Sequence, residues 1–360
     1  MTTLKTKKKK IRLLIVEDSP TVSQCLEYLF SSDPEIEVIG SVRNGKLAVE
    51  FVAKNKPEII TMDIDMPVMN GFEATRRIMS TTPVPIIIVT ASRNAKKQNT
   101  SMDALAVGAL TVIQKPVGIK CGTESAQSKK MISMVKIFSE VRVIKRKYTP
   151  KKEIAKSIQI IQKRKAHVTS QLQNRKYVAI GISSGGPEVL KKLFNSVSEK
   201  FPYPVLVVQH ITDGFLDSMV SWLDSGSKAK IQIAKHKQTL LPGHIYFAPN
   251  GFQMGVKSDK IDLQNRVQGI NICPSVEHLF NTLALNYGKE TIAMLLTGMG
   301  SDGAKELKQL KDAGALTIAQ DRKSSLVYGM PGEAIKLNGA NYVLNPDEII
   351  EIIKTIENSL

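Results

Sequence analysis

The sequence predicts an α/β protein with an N-terminal five-stranded doubly wound domain and a C-terminal doubly wound parallel sheet carrying a small antiparallel insertion. Three observations carry this expectation. Short apolar runs alternate with amphipathic stretches across residues 10–117, the same rhythm resumes at Tyr177, and a basic segment separates the two. At 360 residues, 42% hydrophobic and 23% charged, the chain is long enough to bury two cores.

In the N-terminal domain the strands are expected at 11–16, 36–42, 59–63, 85–90 and 110–113, with helical patterns starting near Pro20, Lys46, Phe72 and Asn99. Residues 118–176 read as a basic, partly helical linker without an apolar face strong enough for a domain of its own. The C-terminal domain, 177–356, has candidate strands in YVAIGI, VLVVQH, HIYFAP, TIAMLLT, LTIAQ and NYVL. Helical stretches at 187–198 and 304–313 separate several of these, and an antiparallel insertion is expected around 232–263.

The formal net charge of +17 could signal nucleic acid, but its location argues otherwise. Residues 118–176 hold 16 Lys or Arg against three Glu, and Lys5 with Lys7 to Lys10 add to the excess, leaving both folded regions near neutrality. Charge runs of this kind usually stay solvated. No helix-turn-helix pattern supports DNA readout, so nucleic acid is not expected, while an acidic protein partner is equally compatible with the charge. No apolar span reaches the roughly 18 to 20 residues of a membrane helix, and no signal peptide is legible. The three cysteines, Cys25, Cys121 and Cys273, are scattered and odd in number, indicating neither a disulfide framework nor a metal site. A reducing, cytoplasmic compartment is expected.

In open parallel sheets, chemistry collects at the carboxyl ends of the strands. In the first domain those ends hold Glu17 and Asp18, Asp63, Thr90, and then Lys115-Pro116. Three crowded carboxylates repel one another unless a hard cation such as Mg²⁺ sits among them. Asp63 is then the natural nucleophile toward an anionic phosphoryl group, Lys115 its counter-charge and Thr90 a hydroxyl donor.

In the second domain, GISSGGP is a strand passing through a glycine-rich turn into a helix, which lifts Ser183 out of the sheet. A serine needs a base, and the base an orienting group. His210 directly closes an apolar strand, and Asp302 follows another through TGMGS, so all three fall on one edge. The turn at 183–186 also fits a phosphate cradle, and Asp302-Gly303 an ordinary turn, but three such residues on one edge favour catalysis. The order Ser, His, Asp is not that of the α/β-hydrolases.

With MDIDMPVMNG and Lys115-Pro116, residues 10–117 resemble the receiver domain of response regulators. The resemblance implies that a histidine kinase phosphorylates Asp63, with Mg²⁺ held by Asp18, Asp63 and the backbone carbonyl of Asp65, and Glu17 nearby. Val112 stands where many receivers place an aromatic switch residue. IGISSGGP, VVQH, GHIYFAP, PSVEHLF, LLTGMGSDGA and YGMPGEAI look like the catalytic domain of the chemotaxis protein-glutamate methylesterases, whose receiver also matches.

Carried over, Ser183 is the nucleophile, His210 the general base and acid, and Asp302 the orienting carboxylate. Ser184 adjoins the nucleophile, and the Met299 N–H belongs to the oxyanion hole. The implied reaction is hydrolysis of glutamyl methyl esters, with glutamine deamidation as a second activity. The implied substrate is the cytoplasmic helical region of chemoreceptors, with a chemotaxis histidine kinase as phosphodonor, no cofactor in the esterase domain, and membrane association only through receptors. Ile211-Thr212, Trp222 and Cys273 depart from residues frequent in that family and bear on substrate preference.

Overall fold

The computed structural model describes residues 9–90, 102–115, 125–141, 143, 172, 174–266 and 272–358. The chain divides into two compact units, Met1–Arg146 and Lys147–Leu360. Among the described residues, no helix is long and apolar enough to cross a membrane.

The first unit runs β1 (Ile11–Val16), α1 (Pro20–Ser31), β2 (Ile36–Val42), α2 (Gly45–Asn55), β3 (Ile59–Met62), α3 (Gly71–Thr81), β4 (Ile86–Thr90), β5 (Thr111–Gln114) and α4 (Ala126–Ser139). Residues 102–106 are also helical, and the start of the helix expected near Asn99 lies outside the described residues. The sheet order is β2-β1-β3-β4-β5, and every pairing is parallel. β3 and β4 are buried along their whole length, as strands covered on both faces must be, which is why they read as continuous apolar runs rather than alternating ones. Ser19, Asn44 and Asn70 cap the three helices that follow β1, β2 and β3 by accepting the N–H of Val22, Leu47 and Glu73.

Helix α4 comes from the stretch read as linker. Met131 and Val135, one turn apart, are fully buried in the core that holds Leu13, Ile15, Leu26 and Phe30. Interspersed lysines dilute this apolar stripe in the sequence, yet one fully buried apolar residue per turn is enough to seat a helix when the core supplies the other side. Residues 144–171 of the linker lie outside the described residues. Cys25 is disulfide-bonded, which the scattered cysteines did not indicate. Cys273 is a free thiol.

The second unit runs β6 (Tyr177–Ile182), α5 (Gly186–Phe194), β7 (Val205–Gln209), α6 (Leu216–Asp224), β8 (Lys230–Ile233), β9 (His244–Phe247), β10 (Phe252–Lys257), β11 (Lys260–Asn265), α7 (Val276–Tyr287), β12 (Thr291–Leu295), α8 (Ala304–Asp312), β13 (Leu316–Gln320), α9 (Met330–Lys336), β14 (Tyr342–Leu344) and α10 (Pro346–Asn358). Seven strands form one sheet in the order β14-β13-β12-β6-β7-β9-β8, all parallel. The antiparallel insertion is the hairpin β10–β11, closed by Ser258 and Asp259 at φ 49° and 58°, the left-handed pair a tight hairpin turn demands. β8, at the start of the stretch expected to be antiparallel, instead joins the main sheet parallel to β9.

In each unit the strand order reverses direction at one central strand, β1 in the first and β6 in the second. Such switch points open a crevice at the carboxyl edge. Truncating Met131 to Ala should cost about 2–5 kcal/mol through transfer and cavity terms. Denaturant unfolding would measure this, and a loss near zero would mean that α4 is not part of the first core.

Candidate active site

At the switch point of the first unit, the backbone N–H of Asp63 donates to the Val16 carbonyl at 2.9 Å and that of Lys115 to the Thr90 carbonyl at 2.8 Å, so the ladders continue just past the strands and bring these residues to one edge. Lys115 Nζ lies 2.7 Å from Glu17 Oε2 and 2.9 Å from Asp63 Oδ2, bridging the two carboxylates. Glu17, Asp63 and Thr90 are buried, while Asp18 and Asp65 are exposed. Oxygens of Glu17, Asp18 and Asp63 all lie within 4.8 Å of one another.

Burial raises the pKa of both Glu17 and Asp63; the Lys115 ammonium opposes that rise, and a neighbouring carboxylate adds to it. Burial alone would lower Lys115, but its bonds to the two acids outweigh this and hold it protonated. One ammonium therefore faces three carboxylates, and such an all-oxygen set with excess negative charge fits a hard divalent cation. Val112 is buried in β5, where it pairs with Ile88.

In the second unit, β6 lies between β7 and β12. Ile182 pairs with Gln209 and Gly181 with Leu295, so the next residues outward, Ser183 and His210, stand on adjacent strand ends, with strands about 4.8 Å apart. The His210 N–H donates to the Ile182 carbonyl at 3.0 Å, and the Ser183 N–H to the Thr297 carbonyl at 3.0 Å. Gly185, at φ 81°, makes the sharp entry into α5, and a Cβ there would press on Leu326 at 2.6 Å. Gly298 meets a different demand, since a Cβ would come within 2.8 Å of the Ser183 Cβ. Gly298 thus lets backbone pass close to the serine.

Asp302 arrives from the loop after β12. Its Oδ2 stands 2.8 Å from His210 Nε2 and accepts the Val276 N–H at 2.8 Å, while Oδ1 accepts the Glu277 N–H at 2.9 Å. Val276 and Glu277 are the first two residues of α7, so the carboxylate also satisfies donors that a helix start leaves unpaired. Burial would raise the Asp302 pKa, but the His210 side chain and these two amides outweigh it and hold the carboxyl below its ordinary range. Ser183 and Ser184 are buried, at 9% and 7% exposure, and Met299 is half-buried. Among the described residues, the Met299 N–H donates to no other group.

Sequence reasoning missed the side chains that hold this edge together. Thr297 Oγ1 donates to the Ser184 carbonyl at 2.9 Å and accepts the Val327 N–H at 3.1 Å, tying three loops at one hydroxyl. The Gln320 Oε1 accepts the Thr297 N–H at 2.8 Å. Both residues are fully buried, and a polar residue at a strand end is the signal that could have found them. Trp222, expected to bear on the substrate groove, is buried in α6 with Lys191 Nζ 3.9 Å from its ring centroid.

The CheB methylesterase profile matches residues 178–353, and the response regulator receiver domain profile residues 13–126. A protein-glutamate methylesterase/protein-glutamine glutaminase of Geobacter metallireducens is 43% identical over 96% of this chain and 99% of its own length. The chain belongs to this methylesterase family. A second member, from Syntrophus aciditrophicus, is 41% identical over 97% of this chain and 99% of its own length. The crystal structure of the Thermotoga maritima CheB methylesterase catalytic domain covers 51% of this chain and 98% of that domain at 36% identity, with a TM-score of 0.48. By the two family models, residues 13–126 of the first unit match a response-regulator receiver and residues 178–353 of the second a methylesterase domain.

A carboxyl whose folded pKa is depressed adds stability above its unfolded value and loses it as pH falls through the folded one. The Asp302 carboxylate should therefore make the native chain more stable than Asp302→Asn at neutral pH, with the difference shrinking as pH falls through and below the aspartate range. Melting temperatures across that range measure it, and a difference independent of pH would contradict the assignment.

Proposed function

We propose that this chain hydrolyses glutamyl methyl esters on chemoreceptor cytoplasmic helices through Ser183, His210 and Asp302, at a rate set by phosphorylation of Asp63. The observation that carries the reading is the placement of all three residues on one sheet edge. Ser183 and His210 stand on adjacent strand ends, and His210 Nε2 lies 2.8 Å from Asp302 Oδ2.

With Nε2 turned to Asp302, Nδ1 is the nitrogen left to take the serine proton. Ser183 Oγ attacks the ester carbonyl carbon as His210 accepts that proton, and Asp302 stabilises the resulting imidazolium. The Met299 N–H receives the developing oxyanion, with Ser184 next to the nucleophile. Collapse of the intermediate breaks the bond to the methoxy oxygen, which takes the proton from His210 and leaves as methanol. Water, deprotonated by His210, then attacks the acyl-serine, and Ser183 regains its proton as the glutamate carboxylate departs. A glutamine amide presents the same carbonyl with ammonia as leaving group, so deamidation follows the same course. These steps need no cofactor.

In the receiver, Asp63 accepts a phosphoryl group from a chemotaxis histidine kinase, Lys115 pairs with the transferred oxygens, and Thr90 donates a hydrogen bond to them. Asp18, Asp63 and the Asp65 carbonyl, with Glu17 nearby, would hold Mg²⁺, which when bound offsets the negative charge gathered there. The acyl phosphate shifts the receiver's population toward a state that raises the esterase rate. The setting is the cytoplasm, with the membrane reached only through receptors, and nucleic acid has no part in it.

Methanol release from methylated receptor membranes tests the whole reading. Ser183→Ala should abolish release while leaving Asp63 phosphorylation intact, and persistent turnover would overturn the nucleophile assignment. Phosphodonor should raise release by the native chain but not by Asp63→Asn, and equal rates with and without donor would exclude the switch.

A further inference from the structure

Gln209 closes β7 immediately before His210 and is 4% exposed. Its Nε2 donates to the Ser183 carbonyl at 3.0 Å and to the His210 carbonyl at 2.8 Å. A primary amide has two N–H donors, so both are used, one on the backbone of each member of the serine–histidine pair. The Ser183 carbonyl already accepts the Gly186 N–H at 2.9 Å, so it does not need the amide in order to be satisfied.

The rest of the side chain is poorly served. Among the described residues its Oε1 is buried without a donor, and it faces Gly186, where a Cβ would come within 2.1 Å of it. A buried acceptor left unmatched disfavours folding. A methionine would fill similar space without that cost, so packing does not account for a glutamine here.

We propose that Gln209 is a positioning residue: its carboxamide bridges the backbone of the nucleophile to that of the base and so fixes the separation across which Ser183 and His210 exchange a proton. The inference rests on the serine–histidine reading of the site and deepens it. Strand pairing ends at Ile182 and Gln209, and one more backbone bond, from the His210 N–H to the Ile182 carbonyl, reaches the base but not the serine. Beyond that pair the two backbones diverge into α5 and the loop before α6, and the carboxamide spans the place where they part.

The test uses the full chain in native form and as Gln209→Met, with methanol release from methylated receptor, labelling of Ser183 by a fluorophosphonate, and thermal unfolding as readouts. Gln209→Met should lower kcat about 10- to 100-fold, as small misplacements of reacting groups do, and slow phosphonate labelling by a similar factor. KM should stay within about two-fold and unfolding should remain cooperative. A folded variant with kcat and labelling within about two-fold of native would overturn the proposal, as would a loss of activity that only tracks loss of folded protein. If Gln209→Met does not fold, Gln209→Glu, of equal length, decides on the same readouts. A native chain that is labelled at Ser183 but releases no methanol would sink the substrate reading and leave the positioning test to the labelling arm; a native chain not labelled at Ser183 would sink both.

Discussion

The register of β6 between β7 and β12 is the constraint on which the second unit depends. Parallel strands place successive residues side by side at fixed spacing, and here the hydrogen bonds of Ser183 to Thr297 and of His210 to Ile182 extend that order one residue past the regular sheet. A slip by one residue would turn either functional side chain to the opposite face. The core beneath holds the register: Ala179, Leu206, Val208, Ala293 and Leu295, from these three strands, lie in one buried cluster with Val276 and Leu279 of α7. The apolar layer that stabilises the sheet thus also sets where α7 begins, and α7 supplies the amides that hold Asp302.

The two units solve a similar problem with different chemistry. In the receiver, like charges are concentrated at a switch point, and one buried ammonium offsets only part of their repulsion, which is the setting the proposed cation and phosphoryl group would relieve. In the esterase the charge is balanced locally: one carboxylate has a histidine and two helix amides around it. The first arrangement suits a group that must change its bonding state in signalling, and the second suits one that must stay ionised through every turnover.

Much of this was legible in the sequence, because strand ends can be found from apolar runs and the chemistry sits at strand ends. Ser183, His210 and Asp302 were placed on one edge in this way, as were Glu17, Asp18, Asp63, Thr90 and Lys115. What escaped depends on contacts between distant segments. That helix α4 joins the first core was hidden because its stripe is narrow and broken by lysines, and its burial is decided by the rest of the core. β8 was misjudged because a four-residue strand carries no signal of its direction. The roles of Thr297 and Gln320 lie in a single hydrogen bond to a remote loop, and the burial of Trp222 against Lys191 follows from how α5 and α6 pack rather than from any motif.

Asp302 bears on how such an enzyme can evolve. Groups retained for catalysis are commonly held against the interest of stability, so that losing them makes a fold more robust and mutational drift is tempted toward an inert but sturdier chain. On the proposed mechanism, a carboxylate that starts a helix and orients a base at once removes that temptation, because a replacement that discards the charge weakens the helix start along with the chemistry. At this position selection for a well-folded domain and selection for a working one pull the same way.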